Sequence, residues 1–240
     1  MRVGSGRGAG FRVDRNGRLG GLGAKVARRL REGPYGERVL IGFRRDLAVP
    51  FPGPRPNVPI SLRALRPDDV AALFPAADGT AAERERADVA WRLGMVGRRT
   101  LMSRAMVAVD ETTGRPCHIQ WLTEGYSDVI RTAAALPALS LDEGLLESAY
   151  TPNAYRGMGI MSAVTARMAE FAAGCGMRYV VAFIDQRNIA SLRGAQRAGL
   201  SPWQIETCTQ YAFGLLRRVR FAPIGDGFAV AGEGLGSPSP

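Results

Sequence analysis

Histidine is almost absent from this 240-residue chain: His118 is the only one. The three cysteines, Cys117, Cys175 and Cys208, are odd in number and far apart. One imidazole and no C-x-x-C pair exclude a Cys/His zinc site. Scattered thiols give no disulfide framework and point to a reducing compartment. No uncharged apolar run reaches the ~18–20 residues that a membrane-spanning helix needs. The first twenty residues hold no continuous apolar stretch, so no secretory leader is expected. The motifs G-x-S-x-G, H-E-x-x-H and G-x-x-x-x-G-K-[ST] are missing, which removes the hydrolase elbow, the zincin helix and the P-loop. The expectation is a cytoplasmic protein with no metal and no membrane contact.

What the chain does have is arginine. Lysine and arginine total 32 against 22 acidic residues, a net charge of +10, and Lys25 is the only lysine. The excess is local. Residues 1–60 hold 13 basic and 4 acidic residues, whereas residues 61–240 hold 19 and 18. The protein therefore reads as a nearly neutral domain with a basic arm. That arm has only Phe11 and Tyr35 as aromatics before residue 40. It lacks a stacking platform, so nucleic acid is not the expected partner.

Residues 1–58 read as a Gly/Arg-rich extension. It contains a short basic helix over 24–31, a strand over 37–43, and a connector over 49–59 with five prolines. The strand either adds to a sheet edge or pairs with a second copy, so a homodimer is one of its two outcomes. From residue 59 to 224 helices and strands alternate, which means an α/β or α+β domain. Helices are expected over 80–93, 128–135, 157–173 and 189–198. Strands are expected over 60–63, 104–109, 116–122, 144–151, 177–184, 203–209 and 211–221. Residues 225–240 form a loose tail.

Chemistry concentrates in the segment from Glu147 to Met161, a strand passing through Gly157 and Gly159 into a helix. The two glycines let the backbone approach a ligand closely. The free N–H groups at the helix start form an anion site, for which pyrophosphate is the usual guest. After one more strand comes Asp185-Gln-Arg-Asn188-Ile-Ala-Ser191, and eleven residues past Asn188 lie Gly199-Leu200.

This ordered pair resembles the core of the GNAT (Gcn5-related N-acetyltransferase) superfamily. That family carries Arg/Gln-x-x-Gly-x-Gly/Ala, a strand, then Asn-x-x-Ala/Ser with Gly-Phe closing the next helix. Arg156, Gly159, Asn188, Ser191, Gly199 and Leu200 stand at those positions. The strong match covers residues 143–200, and about 60–222 resembles one whole domain. The resemblance implies a mixed, mostly antiparallel sheet of six to seven strands flanked by helices, with strands 144–151 and 177–184 splayed to form an acyl-CoA cleft. It implies acetyl-CoA as co-substrate. Its pantetheine would lie along Ala149 and Thr151, with Arg156 and the amides of Gly157, Met158, Gly159, Ile160 and Met161 around the pyrophosphate, and Asn188 and Ser191 beyond. Two positions depart from the pattern. Met161 replaces the last small residue of the turn, and Ala195 stands where many members carry a tyrosine acid.

The implied reaction is transfer of an acetyl group to a primary amine, on a small molecule or a protein, by direct attack. A CoA-binding module without catalysis is the alternative. Direct attack needs an acceptor for the ammonium proton. Glu147 is the candidate base; four residues before Thr151 on one strand, it is expected to face the same way. Glu143 and Glu124 are its rivals. His118 is expected to be a half-buried structural residue. Trp121, Tyr126 and Tyr155 either line an acceptor pocket or pack, and Arg187 and Arg193 either reach the CoA 3′-phosphate or stay at the surface. The cysteines are expected to pack.

Overall fold

The computed structural model describes residues 34–224, apart from 76–78, 98–100, 129–130, 132–136 and 213–215. The helix expected over 24–31, most of that over 128–135, and the tail from 225 lie outside the described residues. In chain order the elements are β1 (Tyr35–Asp46), β2 (Ile60–Ala64), α1 (Asp69–Leu73), α2 (Gly79–Gly97), β3 (Leu101–Asp110) and β4 (Pro116–Tyr126). After these come β5 (Glu143–Tyr150), a 3-10 turn (Asn153–Tyr155), α3 (Ile160–Gly174), β6 (Tyr179–Asp185), α4 (Ile189–Arg197), β7 (Ser201–Tyr211) and β8 (Leu216–Pro223).

Local chemistry accounts for most of these elements. The β3–β4 hairpin turns on Asp110, whose carboxylate accepts from Thr112 N at 2.9 Å and from the Thr113 hydroxyl at 2.7 Å. Tyr-Val-Val-Ala-Phe-Ile in β6 is the β-branched and aromatic run that a strand buried on both faces wants. In α3, Ile160, Val164, Met168 and Ala172 recur every fourth residue and are all buried.

The strands form one sheet in the order β2-β3-β4-β5-β6-β1-β7-β8. Every neighbouring pair is antiparallel except β5 and β6. Two cores flank it. On one face α3 and α4 pack over Ile60, Leu122, Val180, Ala182 and Phe43. On the other, α1 and α2 cover Val107, Ile119, Trp121 and Tyr150.

The mixed, mostly antiparallel sheet flanked by helices is the expected architecture. It has eight strands, more than expected, because β1 joins it. The strand expected at an edge, or against a second copy, lies in the interior. Leu40 to Asp46 pair with β6 on one side, and Tyr35 to Arg44 pair with β7 on the other. Ile41 and Phe43 are buried there. The residue pattern explains why: Val39, Ile41 and Phe43 offer one apolar face to the helix layer, and only an interior strand can bury it fully. β1 thus precedes the boundary drawn near Pro59 and yet is an interior strand of the sheet.

The proline-rich connector after β1 runs extended, as expected, and straps α3. The ring of Phe51 lies against Gly199, where an added Cβ would meet it at 2.8 Å. Further on, Asn57 N donates to Met158 O at 2.9 Å, and Arg167 donates to Ile60 O at 2.6 Å.

Candidate functional site

β5 and β6 are parallel for only three residue pairs, Glu143 with Tyr179, Gly144 with Val180 and Leu145 with Val181. Beyond them the ladder ends and the strands diverge. A cleft of about 260 Å3 opens between Leu146–Ala149 on one strand and Ala182–Asp185 on the other. The cause is a bulge. On β4, Ile119 and Trp121 stand two residues apart, but their partners Tyr150 and Glu147 stand three apart. Ser148, at φ 49°, absorbs the extra residue and bends β5 away.

The bulge also overturns an expectation about orientation. An inserted residue reverses the side-chain alternation, so Glu147 and Thr151 face opposite sides of the sheet. Glu147 lies on the α2 side with its partner Trp121. Thr151 lies on the α3 side, where its hydroxyl is 2.8 Å from His118 Nδ1.

His118 is completely buried, not half-buried as expected. Cys117 and Ile119 are buried beside it, and Gln120, two residues on, accepts from Thr165 of α3 at 3.1 Å. Burial pushes its pKa down to about 3, with a weaker opposing contribution from Gln120. The imidazole is therefore neutral in the folded protein, and the unfolded chain takes up a proton first as pH falls below about 6.5. Stability from this group is fully present above that pH and is lost as pH falls towards about 3. Since there is no other histidine, urea unfolding between pH 6.5 and 5 isolates the effect. The wild type is expected to lose up to ~1.4 kcal/mol per pH unit there, and His118→Asn to be nearly flat.

On the opposite face, Glu147 sits in a charged cluster contributed by α2. Arg92 donates to both of its oxygens, at 2.7 and 3.1 Å, and Thr123 donates to Oε1 at 2.5 Å. Arg92 also pairs with Asp88 at 2.9 Å, which accepts from Ser148 at 3.1 Å. With Glu85 these carboxylates line one wall of the cleft. A carboxylate offers about four lone-pair sites, so Glu147 keeps one for a further donor.

At the end of the cleft the chain turns through Gly157 (φ 79°) and Gly159 (φ 73°), conformations that only glycine adopts cheaply. Arg156 Nε donates to Thr151 O at 3.1 Å, which closes the turn. Gly159 caps α3 without a side-chain bond, and the first helical bond is Ala163 N to Gly159 O. The amides of Ile160, Met161 and Ser162 thus have no acceptor within the helix and stand at its positive end. Ala149 and Met161 line the cleft, and Met161 packs on Gly194 of α4.

Asn188 and Ser191 line the cleft too, but their spacing has a local reason. Asn188 Oδ1 accepts from Ser191 N at 3.2 Å and caps α4. Asn188→Ala is expected to cost about 1 kcal/mol without any ligand, read as a lower urea midpoint.

A model of the GNAT acetyltransferase domain matches residues 60–201. The chain belongs to the GNAT acetyltransferase family. That family consists of acyl-CoA-dependent acetyltransferases. Similar solved structures include a tandem GNAT protein from the clavulanic acid biosynthesis pathway, at 13% identity over 71% of this chain and 53% of that one, TM-score 0.45. A GCN5-related N-acetyltransferase from Sphaerobacter thermophilus is 18% identical over 83% of this chain and 56% of that one, TM-score 0.45. A GNAT family acetyltransferase from Brucella melitensis in complex with acetyl-CoA is 14% identical over 52% and 75%, TM-score 0.35. The chain spans little more than half the length of the first two. No curated protein matches the sequence.

Within this GNAT domain the remaining candidates separate. Ala195, at the position of the family tyrosine, is buried in the cleft wall. Glu143 is buried against Arg44 at 3.1 Å, and Glu124 pairs with Arg104 at 2.5 Å, so neither rival reaches the cleft. Trp121 is core, Tyr126 donates to Pro137 O, and Tyr155 donates to Asp110 at 3.2 Å. Arg187 is exposed and pairs with Asp185 at 3.1 Å. Cys117 and Cys208 are buried as expected, but Cys175 is exposed just past α3. Among the described residues no group of three His, Cys, Asp or Glu is placed to hold a metal, and no helix is long and apolar enough to cross a membrane. Sequence reasoning missed Glu85, Asp88 and Arg92. Their i, i+3, i+7 spacing puts them on one helix face, the signal that could have found them.

Proposed function

We propose that this protein transfers an acetyl group from acetyl-CoA to a primary amine by direct attack. The carrying observation is the splayed β5/β6 pair, with a glycine turn at one end of its cleft and the Glu147 cluster on its wall. The gap beyond Leu145 suits a slender chain, and the amides at the start of α3 suit a pyrophosphate, so the residues present fit acetyl-CoA. In this reading the pantetheine runs along Ala149 and Thr151. Arg156 and the backbone from Gly157 to Met161 hold the phosphates, with Asn188 and Ser191 on the far side.

An ammonium substrate is drawn to the wall of Glu85, Asp88 and Glu147. Glu147, held rigid by Arg92 and Thr123, takes the ammonium proton at its remaining lone-pair site, directly or through one water. The amine nitrogen then bonds the thioester carbonyl carbon, gives up its second proton to solvent as the C–S bond breaks, and the CoA thiolate leaves. With Ala195 in the wall, the thiolate takes its proton from solvent.

Incubation with acetyl-CoA and a panel of primary amines, followed by free-thiol release, tests this. Thiol release should require an amine, and Glu147→Gln should lower kcat by roughly 10²-fold or more while acetyl-CoA binding by calorimetry stays unchanged. Failure to bind acetyl-CoA would sink the proposal. Binding without turnover on any amine would move the reading to a CoA-binding module, which the methyl side chain at Ala195 favours.

A further inference from the structure

A second cavity of about 260 Å3 lies outside the cleft, between the connector strap and the C-terminal half of α3. Leu47, Val49, Pro50, Phe51, Ala169 and Ala173 form apolar walls, and two charged groups, Arg45 and Glu170, complete it. No residue is shared with the acyl-CoA cleft.

Arg45 is the unusual one. It projects from the C-terminal end of β1 and is only 8% exposed. Among the described residues its guanidinium makes one hydrogen bond, Nη1 to Ala198 O at 3.3 Å, and it stacks at 4.9 Å from the centre of the Phe51 ring. Nε has no partner at all. Among the described residues no carboxylate comes within ion-pair distance. Glu170 acts on it only from further away, and burial lowers its pKa. A buried guanidinium normally has a carboxylate or phosphate against it, because desolvating an unpaired charge costs several kcal/mol. Here the space beside it is open.

Glu170 is exposed, with Oε1 at the strap beside Gly53. A plain anion would satisfy Arg45 but meet Glu170. A zwitterion satisfies both, and the walls between them are apolar. The volume falls below the ~300–1,000 Å3 of pockets that hold drug-sized ligands.

We propose that this cavity binds an apolar α-amino acid, its carboxylate on Arg45, its ammonium at Glu170 and its side chain against Phe51 and Ala173. The proposal stands independently of acetyl transfer, since it concerns a different cavity and is read by binding alone.

Thermal unfolding and calorimetry of the full chain with leucine, 4-methylpentanoate and 3-methylbutylamine test it. At about ten times its Kd, leucine should raise Tm by roughly 3–5 °C. 4-Methylpentanoate, without the ammonium, should bind about tenfold more weakly, and 3-methylbutylamine, without the carboxylate, should not bind. Ala173→Phe, at an exposed helix position, fills the cavity. It should abolish leucine binding while acetyl-CoA binding persists, which also distinguishes this cavity from leucine entering the cleft as an acceptor. Glu170→Gln, on the surface, should reduce leucine to the affinity of 4-methylpentanoate. The proposal is overturned if leucine at ~10 mM leaves Tm unchanged, a weaker interaction than a built site gives. It is equally overturned if the amine binds as well as leucine, or if both variants bind leucine like the wild type.

Discussion

A chain lacking residues 1–46 is expected not to fold cooperatively. Composition casts this segment as a basic arm that can be cut away, yet it contains β1, which bridges β6 and β7. Deletion removes two hydrogen-bonded ladders and the fully buried side chains of Ile41 and Phe43. Each of those side chains is worth about 1.5–3 kcal/mol, and each lost ladder bond about 1 kcal/mol. The sum approaches or exceeds the 5–15 kcal/mol that typically holds a domain together. Near-UV circular dichroism should be featureless, with no sigmoidal urea transition; a sharp transition like that of the full chain would refute the role given to β1. A milder version is Gly42→Val. An added Cβ at Gly42 already meets Phe183 Cε1 and Gln204 Cγ at 2.9 Å, so ~1–3 kcal/mol of overpacking is expected.

Arg92→Ala is expected to cost ~3–5 kcal/mol, the second largest effect. The Arg92 side chain is 9% exposed and serves two carboxylates, Asp88 (9%) and Glu147 (16%). Removing the cation leaves two desolvated charges facing each other, so the cost comes more from the abandoned carboxylates than from the lost bonds. Neutralising them alongside, as Arg92→Met with Asp88→Asn and Glu147→Gln, should recover much of the stability. Urea midpoints compare the two variants. A triple variant no more stable than Arg92→Ala would mean that packing of the arginine stem, not charge, carries the effect. The triple variant also separates folding from chemistry, since it lacks the proposed base.

Much of this was legible in the sequence. The glycine turn and the Asn188–Ser191 spacing are local features, encoded within a few residues, and the structure brings both to one cleft. The apolar runs that form β4, β5 and β6 are equally local. What escaped depends on non-local pairing. The interior position of β1 cannot be read from its own composition, because the register partners lie beyond residue 178. The bulge at Ser148 escaped for a different reason: nothing in Glu-Ser-Ala-Tyr marks an inserted residue, and one insertion turns Thr151 to the opposite face. Likewise, Arg92 looks like any solvated helix arginine until Glu147 is placed beside it.

The position of β1 has a consequence for synthesis. The strand emerges from the ribosome before the other strands of the sheet, yet neither flanking strand exists until residues up to 185 and then 211 have followed. Sheet closure is therefore a late, long-range event, the kind that slows folding. In the interval β1 has neither neighbour beside it, and its open edges invite pairing with other chains. Of all the strands in the sheet, the earliest to be made thus waits longest for its neighbours.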